Sequence, residues 1–129
     1  MHSPKEVIKA WVQAFNDHDA EAAAELYHEH AVMLQVAVGI PIKGRTAIHE
    51  DLQKFFTDFP DSYTHIENLF EEGDWAILEW IGGGTLARTD KKFTLRGAGF
   101  FQVNEGKIIF QRGYWDKDTW FRQIDFPVE

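Results

Sequence analysis

From Ser62 to Asp116 the chain is a succession of β-rich runs separated only by the short polar turns Glu72-Gly73-Asp74, Thr89-Asp90-Lys91 and Asn104-Glu105-Gly106. This pattern restricts the fold severely. A three-residue connection can join only strands that lie side by side and antiparallel, because a parallel neighbour needs a crossover of about a dozen residues. The spacing therefore predicts a meander of about Tyr63–Glu71, Trp75–Arg88, Lys92–Asn104 and Lys107–Asp116. In the last turn, Gly106 supplies the positive φ that a tight hairpin requires.

The first half has a different period. Ser3-Pro4-Lys5-Glu6 has the form of a capping box with proline at the first helical position. It precedes Val7, Ile8, Trp11, Val12 and Phe15 at helical spacing, which predicts a helix over Pro4–Asn16. Asp19 is placed to cap a second helix running through Leu26 to about Tyr27 or His28. Ala31–Val38 has the composition of a short strand, Gly39–Gly44 that of a loop, and Thr46 is placed to cap a third helix that Pro60 ends. Lys117–Ile124 reads as a short terminal helix capped by Asp116. Helices grouped first and strands grouped later make an α+β domain with the helices on one face of the sheet.

At 129 residues and 44% hydrophobic, the chain suffices for one domain with a substantial core, spanning 1–129. Its formal charge of −8 repels phosphate backbones and anionic lipid surfaces, so neither nucleic acid nor membrane is an expected partner. The absence of cysteine removes thiolate nucleophiles, disulfides and Cys-based zinc sites together. No run approaches membrane-spanning length and the first fifteen residues have no apolar signal core, which makes a cytoplasmic protein the expectation. His28-Glu29-His30 reads as a solvated helix end and His18 as a surface turn residue; no metal and no cofactor is expected. Gly82-Gly83-Gly84 lies inside a strand pattern without the lysine and following helix of a phosphate loop.

The element order, with Trp11-Val12-Gln13-Ala14-Phe15-Asn16-Asp17-His18-Asp19, Gly44-Arg45, Phe59-Pro60-Asp61, Gly73-Asp74, Glu79-Trp80, Gly84-Thr85, Gly106-Lys107-Ile108 and Tyr114-Trp115-Asp116, resembles the SnoaL-like branch of the nuclear transport factor 2-like superfamily. The resemblance covers nearly the whole chain. It implies a cone-shaped α+β barrel in which three N-terminal helices pack on a curved, mostly antiparallel sheet and enclose a central pocket, with a homodimer formed through the outer sheet face. The fold hosts isomerases, cyclases, hydrolases, transport factors and dioxygenase small subunits, so it does not choose among them.

The catalytic sets of these relatives are not retained. The stretch from Gly99 to Asp116 resembles limonene epoxide hydrolases, whose Arg and two Asp fall on Trp80, Gly82 and Gly113, and whose Tyr and Asn fall on Leu34 and Val36. The His-Asp pair of polyketide cyclases falls near Ala98 and Gly113. The Tyr, base Asp and acid of ketosteroid isomerases fall near Trp11, Gln35 and Ala98 or Gly99. No catalytic residue is assigned.

What stands at these positions implies an apolar wall of Leu34, Val36, Trp80 and Trp115. Strand alternation adds Leu78 and Gly82 to the face of Trp80, sets Leu95 beside Gly97, and sets Gly113 beside Trp115. Trp11 and Phe15 from the first helix complete the expected ligand-binding set. The glycines either bend the sheet or leave room for a bulky ligand. Gln35, an amide, can hydrogen-bond a ligand but cannot serve as a base. The same alternation turns Glu79, Arg96, Arg112 and Asp116 outward, with the arginines expected to pair with outer-face acids. The expected function is binding of a small apolar molecule, by a divergent isomerase-, cyclase- or hydrolase-type enzyme. The alternatives are a non-catalytic binding or dimeric association module, or a structural subunit of a larger enzyme.

Overall fold

Ser3 opens the first helix as the capping box requires. Its hydroxyl accepts from Glu6 N at 3.2 Å, and its own N donates to Glu6 Oε1 at 3.1 Å. In the computed structural model, which describes residues 3–126, this helix, α1, spans Pro4–Asn16 and buries Val7, Ile8, Trp11, Val12 and Ala14. Asp19 caps α2 (Ala20–Glu25) by accepting from Ala22 N at 3.0 Å.

The chain then enters β1 (Tyr27–Gln35), which begins four residues before the expected strand and ends three residues earlier. Tyr27 starts it because its ring is fully buried and its backbone pairs with Ile108. His28, Glu29 and His30 are consequently exposed strand residues rather than a helix end. Two residues of the expected loop, Ile42–Lys43, form β2 against β1. The next helix, α3 (Arg45–Asp58), starts on Gly44 and not on Thr46. Gly44 adopts φ 91, donates to Ala31 O at 2.8 Å, and accepts from Ile48 N at 3.0 Å. Pairing with β1 thus determines where the helix begins, without a side-chain cap.

The meander follows as β3 (Tyr63–Glu72), β4 (Trp75–Leu86), β5 (Lys91–Asn104) and β6 (Lys107–Trp115). All neighbours in it are antiparallel, and β6 continues the sheet by pairing in parallel with β1. The resulting six-stranded sheet, in the order β2-β1-β6-β5-β4-β3, is curved and not closed. This is the expected cone-shaped α+β architecture.

The helices occupy the concave face, where Ile8, Trp11, Ile48 and Leu52 pack against Met33, Leu78, Phe101 and Ile108. Asn16 ties α1 to β3 through two bonds to Thr64, donating to its O at 2.9 Å and accepting from its N at 2.7 Å. His18 does not stand free on the surface, since its Nε2 donates to Ser62 O at 2.6 Å. The final helix, α4 (Lys117–Gln123), is capped by Asp116 and held to β5 by the Gln123 amide, which bonds both N and O of Thr94.

Candidate functional site

Between α1, α3 and the concave face of the sheet lies a cavity of about 400 Å³. Trp11 and Phe15 of α1 form one wall, Leu78, Trp80 and Leu95 of β4 and β5 another, and Gly113 and Trp115 of β6 a third. Seven expected site residues therefore meet around one space. Leu34, Val36 and Gly97 do not line it.

The reasons differ. On β1 the inward positions are Met33 and Gln35, while Leu34 pairs with Arg112 on the other face and Val36 is 41% exposed beyond the strand. Every residue from Ala31 to Leu34 is apolar, so β1 carries no alternation from which to tell its inner face from its outer one. Gly97 is covered by the indole of its cross-strand partner Trp80. A Cβ there would lie 2.7 Å from both Trp80 Cε2 and Tyr114 O. Its missing side chain makes room for a tryptophan, not for a ligand.

Gly113 makes room for Gln35. The Gln35 side-chain oxygen occupies the space that a Cβ at Gly113 would take, and accepts from Trp115 Nε1 at 2.8 Å. A second amide lies diagonally across the β1–β6 pair, because Gln111 is opposite Met33 and Gln35 opposite Gly113. Gln111 is buried at 5% exposure on the cavity floor. Its Oε1 accepts from the Tyr27 hydroxyl, which accepts in turn from Trp11 Nε1 at 2.9 Å. Burial drives the Tyr27 phenol well above its ordinary pKa, against the hydrogen bond from Trp11, so it stays a neutral donor.

Sequence patterning did not single out α3 as a wall, because its apolar spacing reads equally as core. One of its faces sets Asp51, Lys54, Phe55 and Asp58 along the cavity. Burial raises the Asp51 carboxyl above its usual value and Lys54, one turn on, partly opposes the rise. Val38 and Ile40, 54% and 72% exposed, flank the mouth from the β1–β2 loop.

The far end is closed by aromatic packing. Trp120 of α4 lies 5.0 Å from Trp115, 5.2 Å from Phe93 and 5.7 Å from Phe59, and among the described residues its buried Nε1 has no hydrogen-bond partner. Asp116, expected to cap rather than catalyse, caps α4 by accepting from Thr119 N at 3.1 Å and from its hydroxyl.

Outside the cavity, Arg96 pairs with Glu67 at 2.7 Å, while Glu79 accepts from Asn68 at 2.6 Å. Arg112 lies 5.5–5.8 Å from the ring centres of Phe100, Phe110 and Tyr114 and, among the described residues, forms no ion pair. The expected acid partner is replaced there by aromatic faces. Among the described residues no group of three His, Cys, Asp or Glu side chains could hold a metal ion. No helix among them is long and apolar enough to cross a membrane.

A SnoaL-like domain model matches residues 8–111. A hypothetical protein with a ketosteroid isomerase-like fold from Catenulispora acidiphila, solved with trimethylamine, superposes with a TM-score of 0.87 at 19% identity, covering 98% of this chain and 96% of that one. IdmH, a candidate polyketide cyclase from Streptomyces antibioticus, gives 0.83 at 23% identity over 96% and 99%. A phenazine biosynthesis-related protein from Pseudomonas aeruginosa gives 0.81 at 19% identity over 98% and 87%. At these identities the likeness is one of fold.

Proposed function

Because the chain belongs to the SnoaL-like domain family, we propose that it binds a small, largely apolar molecule in the cavity between its sheet and its helices. The observation that carries this reading is the cavity itself. Its volume of about 400 Å³ suits a compact ligand, and its walls are mainly aromatic and aliphatic with a few placed polar groups. Burial of an apolar surface against Trp11, Phe15, Leu78, Trp80, Leu95 and Trp115 supplies the affinity.

A divergent isomerase-, cyclase- or hydrolase-type reaction in the same cavity is a second reading, and Asp51 favours it. It is a lining carboxylate whose environment raises its proton affinity, as a general base requires. A partnership between two copies of the chain accompanies either reading. The helices leave the outer sheet face uncovered, and Phe70 and Tyr114 are 56% and 43% exposed there.

Native mass spectrometry of the purified protein tests the main reading. The expected result is a retained small molecule that is absent from Trp80→Asp, with titrated apolar ligands binding that variant at least about tenfold more weakly. Equal binding by a folded Trp80→Asp variant would refute the role given to this wall. In a substrate panel, Asp51→Asn separates the two readings, since a catalytic Asp51 predicts lost turnover with binding retained.

A further inference from the structure

The two glutamines of the floor share an unusual arrangement, in which the oxygen of each amide is engaged by the protein and the nitrogen is not. Trp115 Nε1 can only donate, so the atom of Gln35 that it meets at 2.8 Å must be the carbonyl oxygen. The Tyr27 hydroxyl already accepts from Trp11, which leaves its own hydrogen for Gln111 Oε1. Among the described residues neither Gln35 Nε2 nor Gln111 Nε2 has a hydrogen-bond partner, and both side chains line the cavity. They stand on adjacent parallel strands as diagonal neighbours, Gln111 opposite Met33 and Gln35 opposite Gly113.

We propose that Gln35 and Gln111 form a two-amide donor site for the oxygen of a carbonyl group carried on the apolar ligand. The proposal rests on the reading of the cavity as a binding site and names the ligand's one obligatory polar feature. The body of the ligand lies against Trp11, Trp80 and Trp115 while its oxygen meets the two NH₂ groups. A hydrocarbon of the same shape covers those donors without offering an acceptor, and a buried donor without a partner is penalised. Gly113 belongs to this site, because only glycine leaves room for the Gln35 oxygen.

Acetonaphthone and isopropylnaphthalene differ by a carbonyl oxygen in place of a methyl group and form a matched pair of probes. Titration of the wild-type protein is expected to show the ketone binding about tenfold or more tightly than the hydrocarbon. The carbonyl stretch of the bound ketone should move to lower wavenumber than in hexane. Gln35→Leu and Gln111→Leu should each reduce both the preference and the spectral displacement. Equal wild-type affinities, or an undisplaced carbonyl stretch, would overturn the donor site while leaving an apolar pocket intact. Failure of both probes to bind would overturn the pocket reading as well. The wild-type comparison decides the matter even if Gln111→Leu, which strips the buried Tyr27 hydroxyl of its acceptor, does not fold.

Discussion

Two glycines that look equivalent on neighbouring strands have different tasks, and the difference is measurable. At Gly97 an added Cβ meets the Trp80 ring and the backbone oxygen of Tyr114, and neither can withdraw without disturbing the sheet or the cavity wall. Gly97→Ala is therefore expected to destabilise the fold by about 1–3 kcal/mol, the usual range for overpacking. At Gly113 the added methyl meets only the end of the Gln35 side chain, which can rotate away. Gly113→Ala should be milder in stability but should break the bond from Trp115 Nε1. Urea unfolding of both variants, with tryptophan fluorescence following the indole bond, checks the pair. A larger loss at Gly113 than at Gly97 would contradict the assignment.

Among the elements, α4 shows how a short segment can close a binding site. Seven residues are too few for a helix that stands on its own in water. Asp116 caps it, Gln123 holds it to β5, and Trp120 sets it among Phe55, Phe59, Phe93 and Trp115. Hydrogen bonds from Thr119 hold the Asp116 carboxyl below the usual aspartate range. For a depressed carboxylate the stabilisation is present above the ordinary value of about 4 and is lost as pH falls through the lower folded value. Amide exchange across 117–123 should thus be protected at neutral pH and lose protection in acid below that value. Asp116→Ala should expose the same amides already at pH 7. Unchanged exchange in the variant would show that aromatic packing alone holds α4.

At the scale of the molecule, the helices cover one face of the sheet, and the other sets charged pairs such as Arg96–Glu67 beside exposed aromatic rings. On the uncovered face Arg112 lies against three rings, its buried Nε without a hydrogen-bond partner among the described residues, beside the exposed Tyr114. A second copy packed here would bury the rings. Light scattering at micromolar concentration should give about twice the 14.9 kDa chain mass, and Tyr114→Lys should shift it toward the monomer. A wild-type mass of one chain would exclude the dimer.

The sequence by itself determined the α+β order, the capping of α1, α2 and α4, and the antiparallel meander. Each depends on residues close together in the chain, such as Ser3 with Glu6, Asp19 with Ala22, or a turn three residues long. The family resemblance, with strand alternation in support, pointed to Trp11, Phe15, Leu78, Trp80, Leu95, Gly113 and Trp115, all of which line the cavity. The tertiary structure alone decided the inner face of β1, since Val32, Met33 and Leu34 are apolar on both sides and only pairing with β6 chooses between them. It alone began α3 at Gly44, through a bond to Ala31, and turned one face of α3 into a wall bearing Asp51. The pairing of Gln35 with Trp115, 80 residues apart, and of Gln111 with Tyr27, 84 apart, belongs to the same class. Hydrogen bonds of that reach leave no local period, and they are what orient the floor of the cavity.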